Sequence, residues 1–196
     1  MDLQLEGKCA AVTGGSAGIG KMIALCLARE GVDVAICARS AGPLEAAAKE
    51  IADETGRRIV PITADLTRTD DANNFIDKAA EALGRIDILV NNAGVGPGTE
   101  PAHEALLSDW EAIVDTNIKG VLYCIRAILP GMVERKRGHI VNISSTSATN
   151  NYKGGNVYGG SKAFVRQLSL NLRCDLLGTP VRVSSIEPGM TETRFT

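Results

Sequence analysis

Little in this chain can stack on a nucleobase or hold a polyanion. Aromatic residues make up 4% of the 196, with one Trp, three Tyr and three Phe, so platforms for bases are few. Charge of neither sign dominates: 21 Lys and Arg stand against 23 Asp and Glu, a net charge of −2. No basic surface results to track a phosphate backbone, and nucleic acid is not an expected partner. The five cysteines (Cys9, Cys26, Cys37, Cys124 and Cys174) are odd in number, scattered and without C-x-x-C spacing. They lie in apolar segments and read as small core hydrophobes, not as a disulfide or zinc framework. The two histidines stand apart, His103 in a loop and His139 at the start of a strand, and no metal site is expected. No apolar run approaches about 18 residues, so no membrane span is expected. Residues Met1 to Lys8 lack the apolar region of a signal peptide. The expected location is cytoplasmic. Neither repeat nor linker interrupts the chain, which reads as one domain over 1–196, large enough to bury a core unaided.

What is present is an alternation of short apolar runs with helical patterns. Cys9 to Thr13 is apolar throughout, as a strand buried on both faces should be. It breaks into Gly14-Gly15-Ser16-Ala17-Gly18-Ile19-Gly20, and Lys21 to Glu30 then reads as a helix closed by Gly31. A strand, a glycine-rich turn and a helix form a seat for pyrophosphate at the helix N-terminus. Gly14 permits the tight turn; Gly18 and Gly20 remove side chains where backbone must approach phosphate and the helix must pack on the sheet. Further strands are expected at Val32 to Cys37, Arg58 to Thr63, Ile86 to Val90, His139 to Ser144 and Val181 to Ile186. Helices are expected over Pro43 to Glu54, Asp71 to Leu83 and Val157 to Leu177. Another helical stretch opens at a capping box, Ser108 with Glu111, and runs to Val133, with Pro130-Gly131 disturbing its end. This β-α alternation predicts a parallel, doubly wound α/β sheet of Rossmann type, order 3-2-1-4-5-6. Ligands in such sheets sit at the carboxyl ends of strands, where Thr13, Ala38, Asp65 and Asn91 fall.

Three places carry chemistry. At the end of the second strand an acid would bond a ribose 2′-hydroxyl and select NAD. Here Ala38 is followed by Arg39, so nothing repels a 2′-phosphate and a guanidinium is at hand to pair with it. The alternative is a solvated surface arginine. Asn117 sits inside an apolar-periodic stretch, where an Asn diverts backbone hydrogen bonds or is merely solvated. Tyr158 and Lys162 lie one helical turn apart, downstream of Ser144-Ser145. A phenol titrates near about 10, and lowering it by roughly 3 pH units takes about 4 kcal/mol, which a neighbouring ammonium in a partly dry pocket can supply. Tyr158 then reads as a general acid/base, Lys162 as its tuner and Ser145 as a hydroxyl polarising a carbonyl. A core ring beside a solvated ammonium has the same spacing, so the pair needs the company of other motifs.

That company exists. The order Thr13-Gly14 through Gly20, Asp65, Asn91-Asn92-Ala93-Gly94, Asn117, Ser145, Tyr158, Lys162 and Pro188-Gly189 resembles the short-chain dehydrogenase/reductase family over nearly the whole chain. The resemblance implies an enzyme with the catalytic tetrad Asn117, Ser145, Tyr158 and Lys162, in which Asn117 holds a water that relays protons through Lys162. It implies a nicotinamide cofactor, NADP before NAD. Gly14, Ser16, Gly18, Ile19 and Gly20 would hold its pyrophosphate, Arg39 the 2′-phosphate and Asp65 the adenine. Asn91, Ala93 and Gly94 would flank it, Tyr158 and Lys162 would meet the nicotinamide ribose, and Pro188, Gly189, Thr191 and Thr193 the carboxamide. Glu100-Pro101-Ala102-His103, Pro130 to Arg135, Gly154 to Gly159 and Lys162 to Gln167 are similar to the NADP-dependent 3-hydroxy acid dehydrogenases, the branch that includes serine dehydrogenase. The substrate implied is a small hydroxy acid or the matching carbonyl compound, with Lys153, Arg194 and the backbone near Met190 as candidates to meet a carboxylate. A reductase of larger carbonyl substrates (3-oxoacyl thioesters, ketosteroids, quinones) and an idle NADP-binding module stay open beside it. The family pairs subunits through the helices after Asn117 and Ser145, so a homodimer or homotetramer is expected. Two departures stand out. Where the family usually has Ala-Gly after the serine, this chain has Ser147-Ala148. Family members also continue past the position of Thr196 through a substrate-covering loop, a helix and a seventh strand; a chain lacking them is expected to capture substrate weakly and to associate.

Overall fold

The computed structural model describes residues 3–193. Six parallel strands form one sheet in the order β3-β2-β1-β4-β5-β6, with β1 Cys9–Thr13, β2 Asp33–Ala38, β3 Ile59–Thr63, β4 Ile88–Asn91, β5 Gly138–Ile143 and β6 Val181–Ile186. The helices are α1 Gly18–Arg29, α2 Ala41–Thr55, α3 Thr69–Leu83, α4 Leu107–Ile113, α5 Gly120–Glu134 and α6 Asn156–Asp175. Every residue of β1 and β4 is buried, the signature of central strands covered on both faces. Their side chains alternate between two cores. Ala10, Val12, Ile88 and Val90 meet Ala24 and Leu25 of α1 and Leu44 of α2 on one face. Ala11, Leu89 and Ile140 meet Phe75 of α3, Cys124 of α5 and Val165 of α6 on the other. Pro61 is tolerated because β3 is an edge strand, where a missing ladder donor costs least.

Four local expectations are corrected. Of the five cysteines read as core residues, Cys26 and Cys174 are exposed, on the outer faces of α1 and α6. Ser108 is not an N-cap: Leu106 takes that place, extended and without a capping side chain, because the amides of Asp109 and Trp110 both return to its carbonyl. Pro130 does not disturb the end of α5, which continues to Glu134. It lies on the exposed side with Arg126, so the carbonyl that loses its helical donor faces water. Finally, the long helix expected around Asn117 is three pieces. Between α4 and α5, residues Val114–Lys119 form a π-helical turn, the kind of bulge often found at functional sites.

Candidate active site

The strand order reverses between β1 and β4, where crossovers diverge and leave a crevice at the carboxyl ends. A cleft of about 1000 Å³ opens there. One end is the glycine turn. Gly14 has φ +68° and Gly18 φ +55°, left-handed values that favour glycine. A Cβ on Gly14 would lie 2.9 Å from Asn92 Nδ2, and one on Gly20 would collide with the Gly14 carbonyl and the Asn92 amide. Asn92 is thus a strut at the end of β4, its Nδ2 donating to the carbonyls of Thr13 (2.9 Å) and Gly14 (3.3 Å). Helix α1 begins without a capping side chain and without an acid in its first turn. Its leading amides and dipole are therefore suited to an anion.

Gly14, Ser16, Gly18, Ile19, Arg39, Asp65, Ala93, Gly94, Pro188, Gly189, Thr191 and Thr193 all lie in the cleft wall, with Ser145, Tyr158 and Lys162. Arg39 is exposed and has no ion-pair partner among the described residues. Asp65 folds its carboxylate onto the Thr67 amide and hydroxyl at 3.1 and 2.9 Å. Gly20, Asn91 and Asn117 stand behind the wall. Gly20 packs α1 against the turn. Asn91 is buried in β4, and its Nδ2 donates to Asn142 Oδ1 at 2.8 Å. Asn142 Nδ2 in turn donates to Ser169 Oγ at 2.9 Å, tying two strands to α6; an Asn inside the apolar run of β5 was the visible sign of this chain. Lys153 is exposed and outside the wall, and Arg194 lies outside the described residues. Thr116, Asn150, Asn151 and Tyr152 also line the cleft, and no motif or spacing marks them in the chain.

Asn117 is 1% exposed, and its amide is spent on protein. Oδ1 accepts the Val95 amide at 2.8 Å, while Nδ2 donates to the Val95 carbonyl at 2.9 Å and to Ser161 Oγ at 3.1 Å. The side chain clamps the segment leaving β4. Gly94 sits between the two inner groups: a Cβ there would lie 3.2 Å from Asn117 Oδ1 and 3.5 Å from Lys162 Nζ.

Lys162, 6% exposed, donates to the Ile143 carbonyl at 3.0 Å, with its ammonium 5.8 Å from the centre of the Tyr158 ring. Burial pulls its pKa down to about 8. The expectation that Lys162 lowers the Tyr158 phenol is not met in this arrangement. Burial pushes that phenol above its ordinary value, and a hydrogen bond with Ser145 pulls it partway back. The ammonium is aimed at a strand carbonyl, and with its pKa drawn down to about 8 it loses its proton before the phenol ionises. Ser145 is set by the short turn Thr146–Ala148, which it caps. That turn is anchored by the Thr146 amide on the Pro188 carbonyl at 3.0 Å.

A phosphate-ready helix end thus shares one cleft with a hydroxyl, a phenol and a buried amine. The family model for short chain dehydrogenases matches residues 8–196. The chain belongs to the short-chain dehydrogenase family. It is 48% identical over 179 residues to the NADP-dependent 3-hydroxy acid dehydrogenase YdfG of Salmonella typhi, a match covering 91% of this chain and 71% of that protein. It is 46% identical over 185 residues to the serine 3-dehydrogenase of Agrobacterium fabrum, covering 94% and 72%. Among solved structures, the closed form of serine dehydrogenase complexed with NADP+ superposes with a TM-score of 0.88 at 46% identity, covering 95% of this chain and 74% of that one. A serine dehydrogenase from Escherichia coli gives 0.85 at 47%, covering 93% and 82%.

Proposed function

We propose that this short-chain dehydrogenase is an NADP(H)-dependent oxidoreductase interconverting the CH–OH of a small hydroxy acid with the corresponding C=O. The observation that carries this is the meeting, in one cleft, of the Ser145–Tyr158 pair and buried Lys162 with the uncapped N-terminus of α1. The relatives named for 3-hydroxy acids and serine support the substrate class. An exposed Arg39 where an acid would exclude a 2′-phosphate supports NADP.

The residues present fit that cofactor: Gly14 lets the turn pack against Asn92 and Ala93, Gly18 keeps the cleft side of the turn free of a side chain, and the first turn of α1 offers donors. Gly14, Ser16, Gly18 and Ile19 would hold the pyrophosphate, with Gly20 packing behind them. Arg39 would hold the 2′-phosphate and Asp65 the adenine, while Asn91, Ala93 and Gly94 support the strand end between. Pro188, Gly189, Thr191 and Thr193 would hold the carboxamide, and Lys162 with Tyr158 the nicotinamide ribose. When bound, the nicotinamide accepts or supplies the hydride. Ser145 donates to the substrate oxygen and stabilises its developing charge. Tyr158 gives that oxygen a proton in reduction and takes it in oxidation. Asn117, by clamping Val95, keeps the floor beneath Lys162 in place. We also propose that copies pair through α5 and α6, which expose Leu122, Val133 and Leu170; a monomer mass by light scattering would remove that part.

The test is absorbance of reduced nicotinamide with NADP+ or NAD+ and serine, allo-threonine, 3-hydroxypropionate or 3-hydroxyisobutyrate. Turnover is expected with NADP+, and Tyr158→Phe is expected to lower it by about 10²–10⁴-fold while cofactor binding persists. Undiminished activity in that variant rules out the acid/base assignment.

A further inference from the structure

Ser147 stands where the family usually has Ala, and the structure shows what its hydroxyl touches. Ser145 Oγ donates to Ser147 Oγ at 3.1 Å, and the Ser147 amide donates to Ser145 Oγ at 3.1 Å. The turn holding both is rigid. The Ala148 amide bonds the Ser145 carbonyl at 2.9 Å, and a Cβ on Gly159 of α6 would lie 3.1 Å from the Ser147 carbonyl. Both serines are half-buried and line the cleft. A hydroxyl has one proton and two acceptor sites. Ser145 Oγ is shared among the Ser147 amide, the Ser147 hydroxyl and the Tyr158 phenol, so its single proton serves one acceptor at a time.

We propose that Ser147 is a positioning residue for Ser145, reversing its hydrogen bond as the substrate oxygen arrives. With the cleft at rest, Ser145 gives its proton to Ser147. When a substrate oxygen takes that proton's direction, the Ser147 hydroxyl rotates and donates to Ser145 Oγ. The Ser145 oxygen then accepts from both the amide and the hydroxyl of Ser147 while its own O–H points at the substrate. Only two O–H bonds rotate; no bond between heavy atoms forms or breaks. Two donors on one oxygen polarise its O–H, and chained hydrogen bonds reinforce one another. The developing alkoxide therefore meets a stronger donor than a serine beside an alanine provides. This inference rests on Ser145 being the group that meets the substrate oxygen.

The experiment is a double-mutant cycle on kcat, using NADP and a hydroxy acid that the wild type turns over. Ser147→Ala is expected to lower kcat by about threefold to tenfold, the worth of one net neutral hydrogen bond. KM and NADP affinity should stay within about twofold, and Ser147→Thr, which keeps the hydroxyl, should restore kcat. In a Ser145→Ala background, adding Ser147→Ala should change kcat by less than about twofold. An undiminished kcat in Ser147→Ala overturns the proposal. So does an equal loss in both backgrounds, which makes Ser147 independent of Ser145, or a loss carried wholly by KM, which makes it a substrate contact. A wild type without NADP-dependent turnover, or a Ser145→Ala variant as active as wild type, overturns the broader reading of the site instead and takes this inference with it.

Discussion

Lys162 illustrates how a single side chain can be costly to the fold and needed by the site. Its ordinary pKa is 10.5, and burial lowers it to about 8. Between those values the unfolded chain binds more protons than the folded one, so stability rises with pH from about 8 to 10.5. Below pH 8 the folded state carries the full penalty, about 3 kcal/mol. Lys162→Met removes the buried ammonium and keeps the stem. It is expected to be more stable than wild type at pH 7, with the gain fading as pH approaches 10.5, and to have lost turnover. Urea titrations of both proteins at pH 7 and pH 10 check this; a variant less stable than wild type at pH 7 refutes it. The spacing of Tyr158 and Lys162 was legible in the sequence. The aim of the ammonium was not, because the Ile143 carbonyl that captures it comes from another element, 19 residues away.

At the level of elements, the glycine turn and α1 were legible because their constraint is local. A left-handed φ at Gly14 and Gly18 is a property of the chain itself. Gly20 is different: it lies within α1, where helix propensity alone would favour Ala by about 1 kcal/mol. The added Cβ would strike the backbone oxygen of Gly14, which has no rotamer to escape into. Overpacking of that kind costs about 1–3 kcal/mol, so it wins. Gly20→Ala is expected to lower the urea midpoint and weaken NADP binding; a higher midpoint refutes the packing argument. The π turn at Val114–Lys119 left no mark in the apolar periodicity. Inserting one residue per turn changes which face Asn117 presents, and its compensation is the bidentate clamp on Val95, a contact between segments 22 residues apart.

For the whole molecule, the proposed cofactor would bind only the assembled sheet, since the cleft is lined from the carboxyl ends of all six strands. At a concentration of 100 times Kd such binding adds about 2.7 kcal/mol, a rise of roughly 5–10 °C in Tm for a domain this size. NADP is expected to produce that rise and NAD a smaller one at equal concentration. Arg39→Ala should erase the difference while leaving the NAD shift in place, because a guanidinium paired to a 2′-phosphate acts on NADP alone. Equal losses of both shifts would remove Arg39 from the 2′-phosphate. Differential scanning fluorimetry reads all four combinations. Among the described residues no helix is long and apolar enough to cross a membrane, and no group of three or more His, Cys, Asp or Glu is placed to hold a metal.

The linear chain alone determined the six strands, their order and the ends at which ligands gather, since burial of a parallel sheet on both faces writes itself as short apolar runs and right-handed crossovers leave few topologies. It also marked the glycine turn and the Tyr158–Lys162 pair that line the cleft, because glycine turns and a Tyr–Lys pair one turn apart are short-range patterns. Only the tertiary structure decided what those residues do to one another. It turned Asn117 onto Val95, drew Lys162 to Ile143, sent Asn91 to Asn142 and set Ser147 against Ser145. Hydrogen bonds are directional and short, so their partners depend on how distant elements are placed to a fraction of an ångström, and no period in the sequence encodes that.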